Sequence, residues 1–256
     1  MSVKDTIARA KLLDEGQTLS KTQKVISSNK VTGYAVNFPI YRTCKPSKVC
    51  AQNCYAAISH KPIAMKVSLN KQLALLNTTI KNPKETAHRL IKEITPKLKS
   101  GSIKFLRWNG VGDLFDESIE CLSTVARALP ELPIWVVTRI PSMAAKVPDL
   151  ANVYVHFSLD SSSLKRYSEV LSESPLNNKL FFSYTEADGE LEQPSELSEI
   201  PVSVYFTNLY GSEPPDAYKE VSCPLNTLES IDGACEECKR CWTDEALKLR
   251  SNPKKV

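Results

Sequence analysis

The sequence has no long apolar run and no export signal. No stretch of about 18 consecutive apolar residues occurs in its 256 residues, so the pattern does not predict a membrane-spanning helix. Residues 1–16 carry charges throughout and lack the apolar centre of a secretory signal. We therefore expect a cytoplasmic protein with no membrane partner, in a compartment where thiols stay reduced.

Histidine is also scarce. The chain has only three histidines, widely separated, which disfavours a histidine-rich zinc site. His156 lies within an apolar run, and we expect it to be a buried structural residue. The sequence also lacks a phosphate-binding glycine loop and a Ser-His-Asp signature, which disfavours nucleotide triphosphatases and hydrolases. A formal net charge of +4 permits contact with an anion but does not require it.

Cysteine, in contrast, is plentiful, with eight residues in two groups and one isolated position. In a reducing compartment, such groups favour metal binding or catalysis over disulfides. The isolated Cys121 lies on an amphipathic helix beside Leu122, and we expect a small core residue there.

The chain divides into three parts by composition. Residues 1–31 are polar and predict a short helix and a loose lead-in. Residues 32–210 alternate short β-rich runs with helical patterns. Residues 211–256 form an extension around a second cysteine group and end in a basic tail. We expect three units with these boundaries.

The alternating pattern predicts an α/β fold with a parallel sheet. A helix is predicted over 62–79, and another starts at Asn82, the N-cap before Pro83 and the capping-box acid Glu85. Six strands are predicted at 33–40, 102–108, 134–139, 153–160, 179–184 and 202–207. Six strands are too few for a closed eight-stranded barrel. We therefore expect a partial (β/α)6 TIM-like barrel, an open parallel sheet with outer helices and a small C-terminal metal-cluster extension.

The first cysteine group is Cys44, Cys50 and Cys54, spaced C-x5-C-x3-C directly after the first predicted strand. Ligands of α/β sheets bind in loops beyond the carboxyl ends of strands. Three thiolates can hold three irons of a 4Fe–4S cluster and leave the fourth iron open to a substrate or cofactor. The alternative is a zinc site that a distant ligand completes.

The second group is C-x2-C-x2-C with an upstream Cys-Pro. Bacterial ferredoxins use this run, together with a Cys-Pro, to ligate 4Fe–4S clusters. Four thiolates close a site and leave no open position. A zinc knuckle with four cysteine ligands is the alternative, and a disulfide pairing is remote. The ligand residues are Cys223, Cys235, Cys238 and Cys241.

Three motifs in order resemble the radical S-adenosylmethionine (SAM) superfamily, nearest to its phage- and plasmid-borne members. They are "NCYA" at 53–56, "GDLFDE" at 112–117 and "VVTRIPSM" at 136–143. The likeness covers roughly residues 33–165. It implies a partial (β/α)6 barrel and an open-iron 4Fe–4S cluster that binds SAM. An external electron donor then drives reductive cleavage to a 5′-deoxyadenosyl radical. The superfamily's commonest spacing is C-x3-C-x2-C, which this triplet does not share.

Polar residues that follow the predicted strands are the candidate SAM contacts. The resemblance places Asp113 near the segment that binds the SAM amino group, although a helix cap is the alternative. Arg139 can hold a carboxylate or phosphate as a fork, and Ser158 can contact a ribose or carboxylate. For each residue alone, ordinary turn chemistry is the competing interpretation. The predicted cofactor contacts are Asn109, Gly112, Asp113, Arg139 and Ser158, and the further strand-end residues are Arg107, Thr138, Asp160, Ser183, Tyr184, Thr207 and Asn208.

These features lead to a primary hypothesis and two alternatives. The primary hypothesis is a radical SAM enzyme that carries a second, C-terminal 4Fe–4S cluster. The alternatives are a non-enzymatic iron–sulfur or zinc protein that binds nucleic acid or a protein partner, and a two-cluster electron carrier. A carrier needs no polar pocket at the strand ends, which disfavours that alternative. The substrate class stays open between a nucleic acid, a nucleotide and a peptide, and the resemblance slightly favours nucleic acid.

Overall fold

A seven-stranded sheet forms the centre of the protein, with its strands in chain order. The structure, a computed structural model, describes residues 16–52, 54, 56, 62–173, 179–186, 193–207, 213–224 and 233–244. The first two strands are antiparallel, and every later neighbour is parallel. The strands are β1 Ser27–Asn29, β2 Gly33–Val36, β3 Leu106–Trp108, β4 Ile134–Thr138, β5 Val153–Leu159, β6 Leu180–Thr185 and β7 Val202–Phe206.

Helices connect the parallel strands, which confirms the predicted mixed α/β fold. As predicted, the Asn82 side chain caps α4 by accepting a 3.0 Å hydrogen bond from the Glu85 N–H, and Pro83 follows the cap. No helix within the described ranges is both long and apolar enough to cross a membrane. The helices are α1 Ile40–Thr43, α2 Lys48–Gln52, α3 Pro62–Lys81, α4 Pro83–Lys99, α5 Asp116–Ala128, α6 Pro141–Lys146, α7 Arg166–Glu173 and α8 Ala234–Cys238, with 3-10 helices at Ser195–Glu199, Asp216–Val221 and Arg240–Trp242.

The lead-in before residue 32 differs from the expectation, because it contributes the edge strand β1. A turn explains the strand: the Asn29 side-chain oxygen accepts hydrogen bonds from the N–H groups of Val31 (2.9 Å) and Thr32 (2.6 Å). Gly33 then adopts a left-handed φ of 65°, which glycine tolerates without strain. The strand's Ser-Ser-Asn sequence has no apolar alternation that could predict it. Three lead-in residues are buried in the main core: Leu19, Val25 and Ile26.

The two faces of the sheet have different roles. Alternate strand residues, such as Leu106 and Trp108, enter the main core together with apolar residues of the helices. Since parallel neighbours connect with one hand, helices between strands in chain order gather on one face. The opposite face carries a cross-strand row that lies partly beneath the C-terminal segment, 233–244. This row comprises Arg107, Trp135, His156 and Phe181.

Candidate metal centres and polar cluster

The first three cysteines lie on the connection that leaves the carboxyl end of β2. Cys44 follows α1, Cys50 lies in α2 and Cys54 follows α2. All three side chains are half-buried free thiols. Between them, the Ser47 hydroxyl accepts a 3.1 Å hydrogen bond from the Cys50 N–H. The triplet therefore sits at the edge of the sheet where parallel strands present ligand-binding loops.

Asp160, at the end of β5, links this cysteine loop to the sheet. Its carboxylate is fully buried and accepts a 2.6 Å bond from the Arg139 guanidinium. It also accepts a hydrogen bond from the Ser47 hydroxyl, which is 113 residues away in sequence. The hydroxyls of Ser162 (2.8 Å) and Ser163 (3.0 Å) complete its partners. Asp160 thus joins the cysteine loop, the end of β4 and the start of the β5–α7 connection.

The backbone of the cysteine loop is held from the same side. The Val49 N–H donates a 3.2 Å hydrogen bond to the Ser162 hydroxyl. The Arg166 guanidinium donates to the Lys45 carbonyl at 3.3 Å. The position of the triplet therefore depends on residues more than 100 positions later in the chain.

Asp113 is a second buried carboxylate beside the triplet, with 4% of its surface exposed. It accepts hydrogen bonds from the Leu114 N–H (2.7 Å), the Thr138 hydroxyl (2.6 Å) and the Arg139 N–H (3.1 Å). Its own N–H donates to the Thr43 hydroxyl at 3.0 Å. Asp113 therefore does not cap α5. It ties the ends of β3 and β4 to the residue before Cys44.

Burial raises the pKa of Asp113 to about 6, although its hydrogen bonds and the nearby Arg139 charge oppose the shift. At neutral pH the carboxyl is therefore mostly ionised but close to its titration range. A buried carboxylate of this kind at the carboxyl ends of strands is a suitable acceptor for an ammonium group.

The turn after β3 brings backbone close to the start of the cysteine loop. Asn109 has a φ of 60° and Gly112 a φ of 87°, both in the left-handed region. A Cβ on Gly112 would lie 2.5 Å from the Phe38 carbonyl oxygen, so only glycine fits. The Asn109 amide donates to the Val137 carbonyl at 3.3 Å, while its buried oxygen has no partner within the described part of the chain. This oxygen is a ready acceptor for a ligand.

The thiols of the triplet influence one another. Burial raises the pKa of Cys44, and the charges of Asp113, Cys50 and Cys54 raise it further. Burial also raises the pKa of Cys50, but the Arg139 charge opposes that effect. Bringing three thiolates together here is unfavourable unless a positive charge compensates them. A metal centre provides that compensation.

The C-terminal cysteines dock on the sheet face that lies opposite the main core. Trp242 stacks on Phe105 with 4.9 Å between ring centres, and its indole N–H donates to the Cys235 carbonyl at 3.2 Å. The Cys223 N–H donates to the Tyr205 carbonyl at 2.8 Å. Aromatic packing therefore holds the segment, with its α8 and its 3-10 helix, against the sheet face opposite the main core.

The four thiols of this second group also interact. Burial raises the pKa of Cys241 well above its usual range, and the charges of Cys223, Cys235 and Cys238 add to the rise, whereas Arg107 opposes it. The thiols that act on Cys241 belong to its own group, and those that act on Cys44 belong to the triplet. The sequence grouping into three and four cysteines is therefore also a spatial grouping.

The cysteine geometry is that of two neighbourhoods rather than of closed single-ion sites. Among the described residues, no three or more His, Cys, Asp or Glu side chains are arranged to hold one metal ion. A tetrahedral zinc site, with Zn–S bonds of about 2.3 Å, would require its four sulfurs to lie about 3.8 Å apart. The donor sets, groups of three and four cysteine thiols, are of the type that iron–sulfur or zinc centres use.

The remaining strand-end candidates divide between the two faces. Ser158 and Ser183 are buried neighbours in register on β5 and β6. The prediction that Tyr184 joins them is wrong. Because side chains alternate along a strand, Tyr184 enters the helix-side core, where its ring lies 5.5 Å from that of Tyr205. Thr207 is buried after β7, and Asn53, Tyr55 and Asn208 lie outside the described residues.

Two important residues were missed or undervalued in the sequence. No sequence pattern marks Ser47 as a site residue, because a serine between two cysteines is typical of an ordinary loop. Asp160 was recognised only as a strand-end residue, and its contact with Ser47 depends on the tertiary fold. His156 and Cys121 are buried as predicted, 1% and 0% exposed.

Comparison with known proteins identifies a family. The family model described as gene product 88 matches residues 2–244 of the chain, so the protein belongs to the gene product 88 family. No curated protein and no solved structure matches the chain.

Proposed function

We propose that this gene product 88 protein is an iron–sulfur enzyme that uses SAM at an open-iron 4Fe–4S cluster. The observation that carries the proposal is the cysteine triplet at the carboxyl ends of the strands, beside the buried carboxylates Asp113 and Asp160 and the Arg139 guanidinium. A purely structural metal site needs no such polar surroundings. We also infer a reducing, cytoplasmic location, consistent with eight free thiols.

The sheet supports the proposal through its winding. Six parallel strands, β2 to β7, follow one another in chain order, and their helices share one face with the main core. Barrels are wound in this way, whereas doubly wound sheets reverse their strand order in the middle. We infer that the sheet curls into a partial (β/α)6 barrel with its helix-free face inward.

The chain's own residues then have separable roles. Cys44, Cys50 and Cys54 would hold three irons of the cluster and leave the fourth open to SAM. Given one electron from an external donor, bound SAM would supply the chemistry of reductive cleavage to methionine and a 5′-deoxyadenosyl radical. Asp113 accepts hydrogen bonds from an ammonium group, and the Asn109 oxygen offers a second acceptor.

Three further residues would shape the same pocket. Gly112 allows the backbone to approach closely, because a side chain there would meet the Phe38 carbonyl. Arg139, held by Asp160, presents positive charge to the thiolate side of the site. Ser158 lies on the inner face below them. The substrate that best fits the mildly basic chain is a nucleic acid or nucleotide.

The C-terminal cysteines would hold a second 4Fe–4S cluster. Cys223, Cys235, Cys238 and Cys241 supply four thiolates, which leave no open iron. A zinc-loaded, colourless protein that binds nucleic acid or a protein partner is the competing function.

Anaerobic reconstitution with iron and sulfide tests the proposal. After reduction with dithionite in the presence of SAM, we expect 5′-deoxyadenosine from the wild type and none from Cys54→Ala. Cys235→Ala should lose the iron of one cluster and keep the other. Cys121→Ala, which removes a fully buried cysteine outside both groups, is the matched control and should keep both.

Two results would contradict the proposal. A reconstituted two-cluster protein that neither binds nor cleaves SAM is not a radical SAM enzyme. A purified protein that holds zinc and loses it in Cys235→Ala has a structural C-terminal site, as the competing function requires.

A further inference from the structure

Two buried N–H donors lie beside the C-terminal cysteines without a hydrogen-bond partner among the described residues. They are Nε of Arg107 and Nε1 of Trp135. The two residues are cross-strand neighbours on β3 and β4, and the guanidinium carbon lies 4.7 Å from the Trp135 ring centre. Buried donors without an acceptor are rare in native proteins. An acceptor is therefore expected next to this pair.

Two of the C-terminal cysteines lie near this pair. Cys235 and Cys241 pack on the buried cluster that Trp135 forms with Phe105 and Trp242. The Trp242 N–H is already bonded to the Cys235 carbonyl. The sulfur atoms of Cys235 and Cys241 are thus acceptors that pack against the same cluster as Trp135.

The charges of the segment lead to the same conclusion. Two of its three described carboxylates have cationic partners, in the pairs Lys104–Glu236 and Lys179–Asp244, and the third, Glu237, is exposed. None of the ion pairs within the described residues involves Arg107. The Arg107 charge acts instead on the thiols of Cys235 and Cys241. Arg107 is therefore a partly buried cation placed to balance these thiolates.

We propose that Arg107 and Trp135 stabilise the anionic metal–thiolate centre of the C-terminal cysteines, Arg107 by charge and both residues by N–H bonds to sulfur. The inference rests on the C-terminal centre of the proposed function. Hydrogen bonds to the sulfurs and the net charge set the reduction potential of such centres, and outer-shell partners control metal affinity. Arg107 and Trp135 are thus positioning residues that set metal retention and potential.

Three variants of the full chain, reconstituted with iron and sulfide, test this inference. Arg107→Gln removes the charge and Trp135→Phe removes one N–H but keeps a ring. Arg127→Gln is the matched control, since Arg127 is exposed on α5. The measurements are iron retention against a chelator and the midpoint potential of each centre from a spectroscopic redox titration.

In Arg107→Gln we expect loss of the C-terminal iron at chelator concentrations about 10–100-fold lower than in the wild type. The midpoint potential of that centre should become more negative, because a nearby positive charge favours the reduced form. Trp135→Phe should also make the midpoint potential more negative, but by less than Arg107→Gln does. If Arg107→Gln does not fold, Trp135→Phe still tests the inference. The triplet's centre and Arg127→Gln should be unchanged.

Failure of this inference can be distinguished from failure of the proposed function. Unchanged retention and potential in both Arg107→Gln and Trp135→Phe would overturn the role of these residues and leave the two-cluster proposal intact. A wild-type chain that takes up no metal at the C-terminal cysteines would overturn both. That result is visible in the wild-type iron content before any variant is compared.

Discussion

The replacement Asp160→Asn tests whether one buried carboxylate holds the cysteine loop in place. Asparagine has nearly the same shape, but it lacks the charge and presents an N–H2 group in place of one acceptor oxygen. The donors of Ser47 and Arg139 both use the same carboxylate oxygen, Oδ2. An amide can satisfy either the serines of the β5–α7 connection or these two donors, but not both sets.

The surroundings of Asp160 give the size of the stability loss that Asp160→Asn should cause. Removing one partner of a buried ion pair costs about 3–5 kcal/mol, and a hydrogen bond to a charged group contributes about 1.5–3 kcal/mol. The Arg139 side chain is 16% exposed, so water partly replaces its lost partner. We therefore expect a loss of about 3 kcal/mol in the free energy of unfolding. For a domain of this size, that corresponds to about 6–12 °C in Tm.

Thermal unfolding and native-state alkylation measure the effect. Asp160→Asn should lower Tm by this amount and speed the alkylation of Cys50 in the folded, metal-free chain. Asp116→Asn is the matched control: its ion pair with Lys146 is exposed (66% and 51%), so it should cost about 1 kcal/mol or less. If Asp160→Asn changed Tm no more than Asp116→Asn did, the idea that Asp160 positions the cysteine loop would be wrong.

The pH range of the Asp160 contribution follows from its pKa. Burial alone would raise the pKa of Asp160, but the hydrogen bond from Ser47 and the Arg139 charge lower it below its usual value of 3.8. A carboxyl with a lowered folded-state pKa contributes stability above its unfolded pKa and loses it as the pH falls through the folded pKa. The difference between wild type and Asp160→Asn should therefore stay constant from about pH 5 to pH 8.

Two further predictions concern the buried His156 on β5 and the turn after β3. Burial, aided by the Arg107 charge, lowers the pKa of His156 from 6.5 to about 3, so the unfolded chain binds a proton that the folded chain excludes between these values. The stability of the wild type relative to His156→Phe should fall by about 1.4 kcal/mol per pH unit as the pH drops from 6.5; equal pH slopes in urea titrations would refute a buried neutral histidine. Gly112→Ala should cost about 3 kcal/mol or more, since a left-handed φ is combined with a backbone clash. Gly101→Ala, also left-handed but with open space around its Cβ position, should cost only about 1 kcal/mol, and similar Tm losses for both variants would exclude the close approach to Phe38.

Much of the fold could be predicted because local physics decides it. The Asn82–Pro83–Glu85 start of α4 forms from neighbouring residues, and the apolar runs of β4 to β7 are readable without knowledge of their partners. The order of strands and helices then restricts the sheet to a few topologies. The edge strand β1 escaped prediction, because its three polar residues gain their partners only from the turn and from β2.

The candidate site was predictable in its residue types but not in its connections. Cysteine spacing by itself divided the thiols into three and four, because ligands close in sequence are also close in space. The sequence could not show which face Tyr184 takes, that Asp113 joins two strand ends, or that Arg107 lies beneath the C-terminal cysteines.

What the sequence determined by itself is therefore the alternation of β and α and the grouping of the cysteines into three and four, since both depend on near neighbours along the chain. Only the tertiary structure decided that Asp160 holds Ser47 and that the Val49 N–H bonds to Ser162. Such contacts join residues more than 100 positions apart, and they exist only after the sheet has brought its strand ends together.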